Sequence, residues 1–290
     1  MENRTFIPGS EWVYFKLYTG TKTADTILKN ELHGYVNDLL QNGIIDKWFF
    51  IRYSDPEFHI RLRFHLKKTQ NFTYIFNHFF EICNSLVDAG LVWNIQCDTY
   101  NRELERYGEH LIEEAESIFF ADSECIVSLI KKLNNNENYR WMIALKLINE
   151  MLSDFGLSIE EKQNLMGNMS KSFKTEFGFN EFNSKQFNLK FRENKKSIES
   201  VLNNTIQEKD FISLYQPIKK RTKELMPVVR QIKSKLGKGE KINDLLNSYI
   251  HMTLNRLFRS KNRQHEMILY DFMFRYYTSE IAKLKYCKKC

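Results

Sequence analysis

The chain has 290 residues, 42% of them hydrophobic and 14% aromatic, which is the composition of a folded protein and excludes a disordered one. Its net charge of +7 arises from 43 Lys and Arg residues against 36 Asp and Glu residues. Such a field attracts several classes of anion without selecting one, and no helix-turn-helix or RNA-binding signature favours nucleic acid. No uncharged apolar run is long enough for a membrane span, and the N-terminus lacks the pattern of a secretory signal, so we expect a cytoplasmic protein.

Five cysteines are scattered along the chain, as expected of reduced thiols: Cys83, Cys97, Cys125, Cys287 and Cys290. The last two form a CxxC motif near the C-terminus, but no second pair accompanies them to complete a zinc site. A metal or redox centre at this motif is the less favoured interpretation. We expect no metal and no bound cofactor.

The first hundred residues alternate strands with helices. Apolar and aromatic patterning predicts, in chain order, a strand at 12–18, a helix at 24–41, a strand at 48–53, a turn at 54–57, a strand carrying Arg and His, a helix at 72–90 and a strand at 91–100. This alternation predicts an α+β fold in which an N-terminal mixed β-sheet is flanked by helices.

From about residue 109 onward the pattern is helical only. The predicted helices lie at 109–119, 122–134, 138–154, 158–173, 181–204, 209–235, 241–260 and 263–284. Polar and glycine-rich breaks fall at 134–138 and 237–239. We expect one domain over residues 1–290, in which a mostly helical part, 109–290, packs back on a sheet-rich part, 1–108.

The strand that follows the turn alternates strictly between basic and apolar residues. The basic set is His59, Arg61, Arg63 and His65, and the apolar set is Ile60, Leu62 and Phe64. Successive side chains of a strand point to opposite faces, so one face carries two guanidinium groups flanked by two imidazoles. Guanidinium groups bind carboxylate, phosphate or enolate oxygens, which makes this face a candidate anion-binding floor. The plainer interpretation is a charged face that points into water.

Two further clusters carry polar groups that suit chemistry. Glu103 and Arg106 are three residues apart at the end of a predicted strand, so in a helical turn they form either part of a site or an ordinary capping ion pair. His251 and Asn255 lie on one side of a predicted helix with apolar neighbours. A half-buried histidine is either structural or a general acid or base. The common nucleophile, nucleotide and metalloprotease motifs are absent.

With these clusters in place, the sequence resembles the elimination domain of the lantibiotic dehydratases, also called the thiopeptide-type bacteriocin biosynthesis domain. The matching stretches are 12–18, 48–64, 100–108 and 251–256, in family order and over essentially the whole chain. In the large members of that family, a preceding domain glutamylates Ser or Thr of a precursor peptide with glutamyl-tRNA, and this domain eliminates glutamate. The resemblance therefore implies a stand-alone elimination subunit of a split lanthipeptide dehydratase, a lyase that produces dehydroalanine or dehydrobutyrine.

The resemblance also implies which residues act. Arg61, Arg63 and Arg106 match the family's functional arginines, and His251 matches its functional histidine; Glu103 is either a base or the partner that orients Arg106. Which group is acid and which is base stays open. Substrate binding is assigned to the neighbouring polar residues Arg52, His59, Arg102, Asn255 and Arg256.

Two alternative functions remain. Relatives of the same type perform a formal [4+2] cycloaddition between two dehydroalanines to form a pyridine ring, and a non-catalytic module would bind a leader peptide. The expected partners are a ribosomally synthesised precursor peptide, with leader and core, and a separate tRNA-dependent glutamylating enzyme. A homodimer is implied by the resemblance alone, and no direct contact with nucleic acid is expected.

Overall fold

A computed structural model describes residues 3–133, 136–236 and 242–287. In the sheet-rich part the elements are β1 (Thr5–Phe6), β2 (Trp12–Thr19), α1 (Thr21–Ile27), α2 (His33–Gln41), β3 (Ile45–Ser54), β4 (Phe58–Leu66), α3 (Phe72–Asp88), β5 (Val92–Cys97) and β6 (Tyr100–Asn101). One π-helical turn, Leu28–Leu32, joins α1 to α2, so the helix expected at 24–41 is present as a single continuous rod with a local change of winding. The predicted strands and the helix at 72–90 are confirmed within a few residues.

The main sheet has four strands in the order β3-β4-β2-β5, and β1 pairs with β6 in a separate ribbon. Each described pairing is antiparallel, so the expectation of a mixed sheet is wrong. Helices α1 and α2 connect β2 to β3 along the chain. These two strands are not neighbours in the sheet, because β4 lies between them. The turn at 54–57 closes the β3–β4 hairpin, in which Ser54 lies opposite Phe58.

The helical part contains α4 (Leu104–Tyr107), α5 (Ile112–Leu133), α6 (Arg140–Asp154), α7 (Ile159–Glu176), α8 (Glu181–Leu202), α9 (Lys209–Ser213), α10 (Tyr215–Lys235), α11 (Ile242–Leu257) and α12 (Asn262–Cys287). The two helices expected at 109–119 and 122–134 are one helix, because no glycine or proline interrupts the apolar periodicity between them. The segment expected as one helix at 209–235 is interrupted at Leu214.

Some expectations fall outside the described residues. These are the break at 237–239, the first two residues of the break at 134–138, and the CxxC motif apart from the backbone of Cys287. No helix in the described ranges is both long and apolar enough to cross a bilayer. Within those same ranges, no group of three His, Cys, Asp or Glu side chains is placed to hold a metal ion.

Both faces of the main sheet are covered by helices, and this arrangement creates the candidate site. On one face, Phe64 contacts Tyr35 of α2 and Phe79 of α3. On the other face, Phe49 of β3 packs against Phe119 of α5, and α11 also contacts β3. The basic face of β4 points toward this second layer, and at its centre Arg63 is only 7% exposed, so the plainer interpretation of a face that points into water does not hold there. Arg61 and His65 are half-buried. The helical part therefore packs on the sheet and encloses its charged face.

Candidate active site

Arg63 lies at the centre of the covered face, surrounded by aromatic rings. Its guanidinium carbon is 4.4 Å from the ring centroid of Tyr14, 4.8 Å from that of Tyr100 and 5.3 Å from that of Phe49. The aromatic faces stabilise the cation, but they leave its N–H groups without acceptors, and the buried Nε has no hydrogen-bond partner among the described residues. Burial lowers the pKa of Arg63, yet an arginine stays protonated. It is therefore a desolvated cation with spare donors.

Arg256, near the end of α11, is a second buried cation with spare donors. It is fully buried, and none of its three guanidinium nitrogens forms a hydrogen bond within the described parts of the chain. The carboxylate of Asp122 lies 3.7 Å from its Nη1, beyond hydrogen-bond distance, and the ring centroid of Phe119 lies 5.0 Å from its guanidinium carbon. Burial lowers the pKa of Arg256 to about 10, with Asp122 opposing the shift and Arg63 adding to it.

Arg63 and Arg256 line the same narrow crevice, which measures about 30 Å³ and is also lined by Glu103, Tyr100 and Tyr107. A space of this size admits a single polar group. Burying one guanidinium without hydrogen bonds is costly, and burying two side by side is more so. An anionic oxygen in the crevice would satisfy the free donors of both.

Glu103 and Arg106 connect this crevice to a larger cavity. Glu103 precedes the short helix α4, and Arg106 Nη1 donates to its Oε2 at 3.2 Å, which confirms the ion pair expected from their spacing. Arg106 Nε donates to Ser248 Oγ of α11, also at 3.2 Å. Arg106 lines the larger cavity, of about 350 Å³, while Glu103 lines the crevice. The ion pair thus extends from one space to the other.

His251 lines the larger cavity and is held by a buried carboxylate. Its Nδ1 donates to Glu266 Oε1 at 2.8 Å, an assignment that follows from the acceptor-only carboxylate. The side chain of Glu266 is 1% exposed, Tyr270 donates its hydroxyl to Oε2 at 3.3 Å, and Arg263 lies 3.8 Å away. The proton on Nδ1 leaves Nε2 with a free lone pair, so His251 is oriented as a base that becomes an acid once protonated.

Glu266 is a residue that sequence reasoning missed. It lies 15 residues after His251 and on the next helix, α12. The available signal was a carboxylate whose neighbours at i+3 and i+4, Leu269 and Tyr270, belong to the buried face of that helix.

Three of the predicted substrate-binding residues use their polar groups inside the protein. Arg52 donates to Asp25 Oδ1 at 2.5 Å and to the carbonyl of Arg256 at 2.9 Å. Asn255 accepts from the backbone N–H of Arg52 at 3.0 Å and donates to its carbonyl at 2.9 Å, so it fixes α11 to β3. Arg102 forms two hydrogen bonds of 2.7 Å with the carboxylate of Glu116. These contacts are those of structural residues.

Arg61 and His59 lie nearer the start of β4 than Arg63 and line neither the crevice nor the larger cavity. The Arg61 guanidinium carbon is 3.5 Å from the ring centroid of Tyr53, and its Nε donates to His59 Nε2 at 3.1 Å. Burial lowers the pKa of His59, which favours the neutral ring that accepts this bond. The structure thus brings together Arg63, Glu103, Arg106, His251 and Arg256, and leaves Arg61 outside the group.

Chemically, this group combines two functions. The crevice supplies cations that favour a negative oxygen in a water-poor space, and the adjoining cavity supplies an imidazole that can move a proton. Such an arrangement suits proton abstraction next to a carbonyl, in which an enolate oxygen develops charge.

Comparisons with known proteins show which family the sequence matches. The family described as Lantibiotic biosynthesis dehydratase C-term has a sequence model that matches residues 12–277. Subtilin biosynthesis protein SpaB of Bacillus subtilis is 25% identical over 281 residues, which is 92% of this chain and 25% of that protein. The chain therefore spans about a quarter of the length of this curated relative.

Two solved structures share the fold. The tRNA-dependent lantibiotic dehydratase MibB from Microbispora sp. 107891 superposes with a TM-score of 0.73 and 18% identity, over 92% of this chain and 28% of that one. The pyridine synthase TbtD from thiomuracin biosynthesis superposes with a TM-score of 0.63 and 10% identity, over 95% of this chain and the whole of that one.

Proposed function

This chain belongs to the Lantibiotic biosynthesis dehydratase C-term family, and from that premise we propose that it eliminates glutamate from O-glutamyl-Ser or O-glutamyl-Thr in a precursor peptide. The products are free glutamate and dehydroalanine or dehydrobutyrine. The observation that carries the proposal is the crevice, where two buried arginines with unused donors lie next to a cavity that contains an oriented histidine.

The reaction needs a base, a group that stabilises the enolate, and a group that holds the leaving glutamate. The base removes the Cα proton of the glutamylated residue, and the electron pair left behind is delocalised onto the carbonyl oxygen as an enolate. When the enolate collapses, the Cα–Cβ double bond forms as the Cβ–O bond breaks, and glutamate leaves with that electron pair on its carboxylate. Because a peptide Cα–H is a weak acid, charge on the enolate oxygen must be stabilised while the proton is removed.

Arg63 and Arg256 are suited to bind the enolate oxygen. Both are held in place before the substrate arrives, by aromatic rings in one case and by burial in helix α11 in the other. Prearranged donors of this kind reorganise little during the reaction, and each is typically worth a factor of 10² to 10³ in rate. The crevice excludes bulk water, which strengthens their attraction for a developing negative charge.

His251 is the group best placed to move the proton, and Arg106 to hold the glutamyl carboxylates. Glu266 keeps the His251 lone pair available on Nε2, and the larger cavity has room for a glutamyl side chain beside Arg106 and Arg263. Glu103 orients Arg106 through their ion pair. Within this proposal Arg61 supports the site from outside, through the stack on Tyr53.

The substrate in this proposal is a ribosomally synthesised peptide, and a separate tRNA-dependent enzyme attaches the glutamate. The solved relative MibB is described as a tRNA-dependent lantibiotic dehydratase, which supports a tRNA-dependent step in such a pathway. This chain matches 28% of MibB, and in this proposal the glutamylating step belongs to a separate enzyme.

The test is to incubate the purified protein with a synthetic peptide that carries O-glutamyl-Ser, and to follow glutamate release and peptide mass. We expect glutamate and a dehydrated peptide from the wild type, and loss of both in Arg63→Met and His251→Ala. Arg192→Met, at an exposed position on α8, is the matched control and should retain activity. Elimination that survives in both site variants would refute the assignment of the site.

Two other outcomes would replace the proposal. If the glutamylated peptide stays intact while a bis-dehydroalanine peptide is cyclised, the chain is a cycloaddition enzyme like the pyridine synthase whose fold it shares. If neither substrate changes while a leader peptide binds equally well to wild type and both variants, the chain is a binding module.

A further inference from the structure

Besides the crevice and the cavity that contains His251, a third and larger space runs along helix α7 beside the candidate active site. We call this space the groove. It measures about 780 Å³ and is lined by residues of α7, by Phe274 of α12, and by Gly178 and Phe179. Gly167 is part of this lining and packs closely on Phe274, because a Cβ at that position would come within 3.0 Å of the Phe274 ring. Asn168 lines both this groove and the cavity that contains His251, so the two spaces adjoin at that residue.

The side chains along the groove are suited to a peptide backbone. Asn164 and Asn168 are both exposed and form no side-chain hydrogen bond within the described ranges, so each offers a donor and an acceptor. They are four residues apart on a helix, a rise of about 6 Å. That distance is close to the two-residue repeat of an extended chain, roughly 6.6 Å, at which backbone groups recur on the same side.

Two further residues point to a bound ligand. Ser170, only 2% exposed, lines the groove with a hydroxyl that has no hydrogen-bond partner in the described structure. Lys171 is exposed at the wall and forms no ion pair with any described residue, whereas Lys174, farther along, is paired with Asp271 at 2.5 Å. The groove wall contains no acidic residue, so its free charge is positive.

We propose that this groove binds the peptide segment that flanks the glutamylated residue, in an extended conformation and with neutral or acidic side chains next to Lys171. The inference rests on the proposed function, since it assigns the path by which the peptide substrate reaches His251. From Asn164 to Lys171 the helix rises about 10 Å, which is the length of about three extended residues. The groove therefore contributes to affinity for a long peptide and adds little for a short one.

The test measures binding, which does not depend on turnover. A fluorescein-labelled peptide with O-glutamyl-Ser at its centre and Asp-containing flanks is titrated with protein, and its anisotropy gives Kd; a peptide with one residue on each side serves as the truncated probe. We expect the flanked peptide to bind the wild type at least tenfold more tightly than the truncated one. Asn164→Trp, which fills the groove from an exposed position, should remove most of that difference.

Charge reversal makes the test independent of small effects on folding. Lys171→Glu should weaken binding of the Asp-flanked peptide about tenfold and should restore binding when the flanks contain Lys instead. The controls are Asn77→Trp on α3 and Lys223→Glu on α10, both exposed helical positions far from this groove in the sequence, and both should bind like the wild type.

The results separate the two proposals. If glutamate is eliminated while Asn164→Trp and Lys171→Glu bind the flanked peptide like the wild type, the groove assignment is wrong and the proposed reaction stands. If the variants weaken binding but no glutamate is released, the groove is confirmed as a peptide site and the reaction is wrong. Equal affinity of the wild type for flanked and truncated peptides would also overturn the groove assignment.

Discussion

Two groups of buried arginines in this molecule differ in how their charge is balanced. Asp25, only 2% exposed, accepts hydrogen bonds from Arg52 at 2.5 Å, Arg140 at 2.8 Å and Arg259 at 2.7 Å. In the crevice, Arg63 and Arg256 are also buried, but they form no hydrogen bond within the described parts of the chain. Hydrogen-bonded arginines are typical of a structural core, whereas buried arginines without hydrogen bonds weaken the fold unless an anion binds. The contrast thus distinguishes arginines that support the fold from those available to a substrate.

The same contrast is visible in the carboxylates. Burial alone would raise the pKa of Asp25, but the guanidinium groups of Arg52, Arg140 and Arg259 outweigh it and lower that pKa. For Asp154, burial prevails over the attraction of Arg221 and raises the pKa to about 6. One carboxylate is therefore stabilised in its charged form by the fold, and the other is not.

The largest expected effect is on stability, when the carboxylate that Arg52, Arg140 and Arg259 share is removed. Asp25→Asn leaves three guanidinium groups without their shared charge and should lower the free energy of unfolding by about 3 to 5 kcal/mol. Urea denaturation followed by circular dichroism measures it. Asp38→Asn, at an exposed position on α2, is the control and should change stability little. A loss below about 1 kcal/mol for Asp25→Asn would mean that the cluster does not support the fold as described.

Arg256→Met should separate activity from stability. We expect elimination to slow by about 10² to 10³, because one prearranged donor of the crevice is lost. The free energy of unfolding should stay within about 1 kcal/mol of the wild type or rise, since the buried cation that is removed forms no hydrogen bond in the described structure and lies 3.7 Å from Asp122. The matched control is Arg221→Met, because Arg221 is equally buried but bonds the same Asp122 at 2.5 Å. That variant should be clearly destabilised, and equal destabilisation of both would contradict the contrast.

Glu266→Gln tests whether the Glu266 carboxylate keeps His251 in the tautomer that has its lone pair on Nε2. The amide keeps the shape of the carboxylate but can present an N–H to Nδ1, which favours the wrong imidazole tautomer. We expect elimination to slow by about tenfold to a hundredfold, a smaller loss than in His251→Ala. The rate should be measured across pH, with Glu199→Gln on α8 as the control. An unchanged rate and pH profile would show that Glu266 has only a packing role.

The smallest expected effect is the contribution of Asp154 to stability, which changes with pH in a defined direction. Its pKa is raised in the folded protein, so below the unfolded value of 3.8 both states are protonated and the group contributes nothing. Between that value and about 6, the unfolded state loses its proton first, and stability falls as pH rises. Asp154→Asn should therefore stabilise the protein by about 1 kcal/mol at pH 7 and have no effect at pH 3.5. Equal effects at both pH values would contradict this explanation.

Much of the fold could be predicted from local patterns. The strict alternation in β4 predicted which side chains share a face, and the Ser54–Glu57 turn predicted its hairpin with β3. What covers each face depends on contacts between distant parts of the chain. The burial of Arg63 under α5 and α11 therefore could not be derived, and neither could the antiparallel order of the sheet.

The site was predictable to a lesser degree. The family resemblance placed His251, Arg106 and Glu103 together, and the structure brings these residues into adjoining spaces. The resemblance could not distinguish Arg256, which lines the crevice, from Arg52, which forms hydrogen bonds within the core, because both are arginines in apolar surroundings. Whether a guanidinium forms hydrogen bonds depends on side chains far away in the sequence, here Asp25, which bonds Arg52, and Asp122, which lies 3.7 Å from Arg256.

The two hydrogen bonds between Asn255 and the backbone of Arg52 have a consequence for how the protein folds. They join positions 203 residues apart, and they align the helix that carries Arg256 with the hairpin that carries Arg63. Closing a loop of that length costs conformational entropy that local contacts cannot offset. We therefore expect the candidate site to form late, after the hairpin and the separate helices. A polypeptide that ends before α11 would contain Arg63 of the hairpin but would lack Arg256 and His251, and so would lack half of the candidate site.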